Sequence, residues 1–254
     1  MQCARSAHLV GADRAITRGM SSIETPAPTP DAQRLFIAVR LPPATANQLA
    51  TTADQLARRA SNNKVAVRWV EPVNYHITLA YLGWARPHAA DAVHDVVNEI
   101  CRDQAPFELR IGKLGGFADE TAASVIWAGV EDASGALQRL AHAARSGASA
   151  LGFTIDPRPF VAHVTLGRLN PPSAISDVIL PWREQMFSTS VIGSVELLDS
   201  NVKTGVYVYS TVMKKVLIGA QNRVQAALRR QTDSVNRTEA ETDDGWPKGQ
   251  GPSY

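Results

Sequence analysis

The chain has 254 residues, 44% of them hydrophobic and 20% charged, with a formal net charge of +2. That length supports one large domain or two lobes over a shared core, and no run of about 18 apolar residues offers a transmembrane helix. Cys3 and Cys101 are the only cysteines, which excludes a disulfide framework and a cysteine-based metal site, and a charge of +2 is too small to imply a polyanionic partner without local clustering.

Residues 1–33 end in the Pro- and Thr-rich "SSIETPAPTPDAQ" and read as a disordered leader, because they cannot bury enough apolar surface to offset the entropy of ordering. Arg5 is present, but Asp13 and Arg14 interrupt any apolar run of signal-peptide length, so the protein reads as cytoplasmic. The folded part is expected over residues 34–218. "RLFIAV" (34–39) is a compact strand, and Pro43 suits the first turn of a helix reaching to about Arg59. "AVRWV" and "NYHITLAYLG" follow as strands, the second closed by Gly83. In the next helix Val93, Val96, Val97, Ile100 and Cys101 form an apolar stripe. "FELRIGKLGGF" (107–117) reads as a strand bent at its Gly-Gly pair, and "SVIWAGV" (124–130) as another. A third helix is expected to bury Leu137, Leu140, Ala144, Ala148 and Leu151, after which "FVAHVTLGRL" returns to strand. "STSVIGSVELLDS" and "GVYVYSTVMKKVLI" read as a closing pair of strands. Residues 219–254 are polar, rich in charge, Gly and Pro, and read as a disordered tail.

The pattern His-x-Thr-Leu occurs twice, at 76–79 and again at 163–166. Each copy is preceded by a helix and sits in a strand, which suggests two similar α+β lobes, a weak internal repeat with a motif in each half, facing each other across a cleft. Side chains at i and i+2 of a strand share a face, so His76 with Thr78, and His163 with Thr165, form two outward pairs anchored by apolar neighbours. An imidazole titrates near pH 6.5, so two in one cleft can divide acid and base work at neutral pH while hydroxyls donate to a phosphoryl group. That scheme calls for no metal and no cofactor, and no Asp, Glu or Cys stands at ligand spacing beside either histidine. One such motif alone is ordinarily an accident of composition; two on matching strands favour chemistry. His8, His88, His94 and His142 fall in the leader or on helices, where a solvated or structural role is the default.

With these residues, the chain resembles the two-histidine phosphoesterases, and among them the RNA 2′,3′-cyclic phosphodiesterases, also called 2′-5′ RNA ligases. The resemblance covers nearly all of residues 34–218: "RLFIAVRLPP" is similar to the family's opening strand, "RWVEPVNYHITLAYLGW" and "LGFTIDPRPFVAHVTLGRL" to its two motif regions, "LGGF" and "VIWAGV" to its central strands, and "VELLDSNVKTGVYVYSTV" to its last hairpin. It implies an α+β bilobal fold, two pseudo-symmetric lobes of antiparallel sheet with helices outside, and hydrolysis of a 2′,3′-cyclic phosphate to a 2′-phosphate. It also implies that His76 and His163 are the acid/base pair, that Thr78 and Thr165 bind phosphate, and that Arg168 holds it bidentately. Strand alternation by itself points Arg168 away from the His163 face unless the strand bends at Gly167. RNA ends or small cyclic nucleotides are the implied substrates, no membrane is involved, and a monomer suffices because both lobes lie in one chain. Tyr75, Trp84 and Phe160 flank the motifs as stacking or core aromatics, and Arg34, Arg40, Arg68 and Arg158 as a basic rim or scattered surface charge. Two rival readings remain: ligation by the same residues run in reverse, and a binding module for RNA ends without turnover.

Overall fold

The computed structural model describes residues 31–203 and 206–219, so most of the leader and tail expected from the sequence lie outside the described residues. Nine strands and four α-helices are present among them. β1 (Gln33–Arg40), β3 (His76–Ala85), β8 (Ser194–Lys203) and β9 (Val206–Val216) form a sheet in the order β3-β1-β8-β9. β2 (Arg68–Trp69), β6 (His163–Ser173), β5 (Ala123–Glu131), β4 (Phe107–Phe117) and β7 (Met186–Ile192) form the other, in the order β2-β6-β5-β4-β7. Every pairing is antiparallel.

The helices cross between the sheets. α1 (Pro43–Asn62) follows β1 of the first sheet but packs beside β7 of the second; α3 (Ala136–Ala150) follows β5 of the second but packs on β3 of the first, next to α2 (Pro87–Arg102). α4 (Ser176–Ile179) is a single turn against α1. Each sheet therefore draws strands from both halves of the chain. β8 and β9 return from the C-terminal half to complete the sheet that carries the first motif, and the short β2 joins the sheet that carries the second. One apolar core runs through both, from Leu35, Ile37, Ile77 and Leu79 to Leu109, Ile111, Ile126 and Leu166.

Local sequence accounts for these elements. α1 has Pro43 at its start and buries Leu49, Ala53, Leu56 and Ala60 at helical spacing, running three residues past the expected Arg59. β1 is apolar on both faces because both are covered: Leu35, Ile37 and Val39 enter the main core, while Phe36 and Ala38 meet Leu198 on the other side. α3 buries Leu137, Leu140, Ala144 and Ala148, but Leu151 is 43% exposed. The helix stops before it: Gly152 takes φ 89°, its N–H bonds Ser149 O and the Phe153 N–H bonds Ala148 O, a paired closure that only a left-handed residue permits comfortably. "STSVIGSVELLDS" is two strands rather than one. The chain breaks at Gly193, sending β7 to one sheet and β8 to the other.

Candidate active site

Ile77 and Leu79 of β3, and Val164 and Leu166 of β6, are buried in the core, which turns His76 with Thr78 and His163 with Thr165 to the opposite faces of their sheets. β3 and β6 lie beside each other although they belong to different sheets. Repulsion from His163 is among the causes that hold His76 down, so the contact of β3 with β6 leaves the two histidines within electrostatic reach of each other.

Each imidazole is anchored in the same way. Nδ1 of His76 lies 2.6 Å from the carbonyl of Asn74, and Nδ1 of His163 lies 2.7 Å from the carbonyl of Val161. A carbonyl only accepts, so each Nδ1 carries the proton and donates, leaving Nε2 as the working nitrogen. At His76 the Thr78 hydroxyl donates to Nε2 at 3.1 Å. Rings hold the imidazoles laterally. Phe36 and Tyr209 stand 5.0 and 5.1 Å from His76, and Phe117 stands edge-on 4.9 Å from His163. Phe117 in turn packs on Trp127, whose ring lies flush over Gly115; a Cβ there would stand 2.4 Å from Trp127 Cζ2. Gly115 thus serves ring packing while Gly116 makes room for Ile175 and Ala123, and the irregularity in β4 falls earlier, at Lys113 with φ 56°.

The two sites differ in their cross-strand neighbour. Arg40 stands opposite His76, whereas Gly129 stands opposite His163. The Arg40 guanidinium donates to Glu196 Oε2 at 3.1 Å and to the carbonyls of Val73 and Tyr209 at 2.8 and 2.9 Å. The Glu196 side chain is only 5% exposed and also accepts from the Thr211 hydroxyl at 3.0 Å. Burial, and then the Arg40 charge against the opposing bond to Asn74, lowers His76 to about 4. Burial and the Arg168 charge also lower His163.

Arg168 reaches the cleft through a bulge. Thr165 pairs with Trp127 and Gly167 with Ile126, so Leu166 is the extra residue that reverses the alternation, leaving Arg168 exposed on the His163 side and Leu169 buried. β3 carries the same irregularity: Thr78 pairs with Ala38 and Ala80 with Ile37, Leu79 is extra, and Tyr81 occupies the position corresponding to Arg168. The internal repeat therefore extends through the bulge to a residue where the two copies diverge. The Arg168 charge lowers both His76 and His163.

Of the flanking aromatics, Tyr75 is a core residue, 2% exposed, and Phe160 packs against the core, while Trp84 is 42% exposed. Arg34 and Arg68 lie at the far end of the cleft, and Arg158 pairs with Asp156 on the surface. His94 and His142 are on α2 and α3, away from the site. Arg40 was legible only as part of a basic rim, and Phe36, Phe117, Trp127, Tyr209 and Glu196 were not legible as site residues, since each reaches it through strand pairing; the common offset of two residues between each histidine and its carbonyl was the one local clue. No cluster of His, Cys, Asp and Glu suited to a metal occurs among the described residues, and no helix among them is long and apolar enough to cross a membrane.

Known proteins are similar to much of this chain. An RNA 2′,3′-cyclic phosphodiesterase of Aquifex aeolicus is 28% identical over 159 residues, covering 61% of this chain and 84% of that protein. One of Archaeoglobus fulgidus is 30% identical, covering 55% and 75%. The match to a Geobacillus stearothermophilus protein of the same name is 36% identical but spans only 32% of its length. Among solved structures, Escherichia coli LigT complexed with 3′-AMP is 25% identical with a TM-score of 0.57, covering 73% of this chain and 98% of that one. A Thermus thermophilus protein reaches 0.61 at 25% identity, covering 74% and 99%. The family model described as the 2′-5′ RNA ligase superfamily matches residues 41–203, both His-x-Thr strands included, and the chain belongs to that superfamily.

Proposed function

We propose that the protein hydrolyses 2′,3′-cyclic phosphates, at RNA ends or on nucleotides, to 2′-phosphates. The observation that carries this reading is the pair of imidazoles, each pinned through Nδ1 with Nε2 left to work, on adjoining strands beside Thr78, Thr165 and Arg168. One imidazole takes a proton from the attacking water; the other gives one to the departing 3′-oxygen as the phosphorus–oxygen bond breaks. The threonine hydroxyls and the Arg168 guanidinium hold the charge that develops on the phosphoryl oxygens.

The asymmetry between the two sites favours a division of roles. His76, buried and beside the Arg40 cation, stays neutral at ordinary pH and is the proton acceptor. His163, with Gly129 in the corresponding place, has no such cation across the strand and is the donor. The names of the curated relatives support the substrate class.

The test is hydrolysis of a short RNA ending in 2′,3′-cyclic phosphate, carried out in EDTA, with the product identified as 2′- or 3′-phosphate. A 2′-phosphate product formed in EDTA is the expected result. A 3′-phosphate product, or turnover that needs an added metal, overturns the mechanism.

A further inference from the structure

Beyond Thr78 the face that carries His76 continues to the end of the sheet. Across β1 and β3, Ala38 stands opposite Thr78, Phe36 opposite Tyr81 and Arg34 opposite Trp84. Arg34 Nε donates to the Tyr81 hydroxyl at 2.6 Å, and its guanidinium lies 5.5 Å from the centre of that ring. On the other sheet Arg68 stands opposite Arg168, and its guanidinium lies 5.1 Å from the ring of Tyr207, which belongs to β9 of the first sheet. The neighbouring Arg34 and Arg68 guanidinia hold the Tyr207 phenol below its usual range. Two guanidinia from two sheets therefore gather beside the rings of Tyr81 and Tyr207.

No carboxylate neutralises them. Among the described residues, none of Arg34, Arg68 or Arg168 has an acidic side chain at ion-pair distance, whereas Arg40, just along β1, is matched by Glu196. Like charges gathered around phenol oxygens repel one another and are relieved by an anion. Tyr81 lies three residues past Thr78, roughly 10 Å along the strand at about 3.3 Å per residue. That is too far for a second oxygen of the reacting phosphate and suits the next phosphate of the same strand. Tyr81 and Trp84, 46% and 42% exposed, offer ring faces alongside, where bases of a single strand can stack.

We propose that Arg34, Arg68 and Tyr207 form a second phosphate site, which takes the phosphodiester immediately upstream of the reacting end and makes the preferred substrate an RNA strand rather than a mononucleotide. The inference rests on the cyclic-phosphate reading only for what happens at the reacting end. A 5′-phosphate on a single nucleotide presents similar chemistry, so the substrates must separate the two.

The experiment compares kcat/KM for cytidine 2′,3′-cyclic phosphate, the same nucleotide bearing a 5′-phosphate, a trinucleotide ending in 2′,3′-cyclic phosphate, and that trinucleotide with a neutral methylphosphonate at the linkage next to the end. Wild type is expected to favour the trinucleotide over cytidine cyclic phosphate by about tenfold or more, the scale of a charge-assisted contact. The methylphosphonate and the R34Q/R68Q variant should each bring that ratio close to one. A wild-type ratio near one, a ratio that survives in folded R34Q/R68Q, a methylphosphonate turned over as well as the natural linkage, or a 5′-phosphate alone supplying the whole advantage overturns the proposal. Should R34Q/R68Q fail to fold, R68Q and Tyr207→Phe are read on the same ratio. If wild type turns over none of these substrates, the hydrolase reading falls and the site is read from trinucleotide affinity. Binding about tenfold weaker in R34Q/R68Q, with a salt slope lowered by about one per arginine, sustains it; equal affinity and slope overturn it.

Discussion

Removing either imidazole deletes one proton transfer, and the expected loss in turnover for His76→Ala and for His163→Ala is about a hundredfold or more on a cyclic-phosphate RNA end. The two losses separate on a substrate whose leaving group needs no proton. On bis(4-nitrophenyl) phosphate, His163→Ala should keep most of its activity while His76→Ala does not; equal losses would refute the division of roles. The pH profile of kcat/KM carries the same assignment. His76 must be neutral, which it is above about 4, and His163 must be protonated, which holds below a value itself lower than the ordinary imidazole. The profile should therefore be a bell on the acid side of neutrality. Arg40 depresses His76, so its removal raises the acid limb. Arg40→Gln is best combined with Glu196→Gln, since a carboxylate only 5% exposed would otherwise keep just the longer contact to Lys214 at 3.6 Å as its ion pair. An acid limb that does not move in the double variant would refute the role given to Arg40.

At the scale of strands, the two bulges decide which residues join the motifs. Leu79 and Leu166 are each an unmatched residue at the equivalent place in their strand, and each returns the next polar or aromatic side chain, Tyr81 or Arg168, to the face that carries the histidine. Period-two reasoning pointed Arg168 away from that face, because alternation assumes an unbroken ladder. The packing of β4 against β5 is as exacting. A methyl group at Gly115 would stand 2.4 Å from Trp127, which supports Phe117 and through it His163. Gly115→Ala is expected to cost about 1–3 kcal/mol in thermal or denaturant unfolding, and to lower turnover beyond what the lost stability explains. An alanine variant as stable and active as wild type would show that the ring has room to move.

Across the whole molecule, imidazoles that burial makes harder to protonate leave the fold sensitive to acid. His76 sits near 4 when folded, against about 6.5 in an unfolded chain, so between those values the unfolded state binds a proton that the native state does not. Stability from this group is fully present above about pH 6.5, falls as pH drops through the window, and falls no further below about 4. His163, also lowered, acts in the same direction. The loss from His76 should be on the order of 2 kcal/mol. It is read as a fall in Tm between pH 7 and pH 4.5 that shrinks in His76→Gln; an unchanged pH dependence in that variant would refute the burial argument.

The sequence by itself determined which faces of the two motif strands are turned away from the core. His76, Thr78, His163 and Thr165 were legible because i and i+2 in a strand share a face whatever the surroundings, and the apolar residues between them fixed which face was buried. The helical stripes of α2 and α3 were legible for the same local reason, apart from Leu151 beyond the helix end. Tertiary structure alone decided the rest. Sheet membership depends on long-range pairing, so the break at Gly193 that sends β7 and β8 to different sheets left no mark in the periodicity. Arg40 and Glu196 became neighbours of His76, and Arg34 and Arg68 came to lie over Tyr81 and Tyr207, only when strands far apart in the chain were laid side by side, because cross-strand registry is set by the whole core and not by any local run of residues.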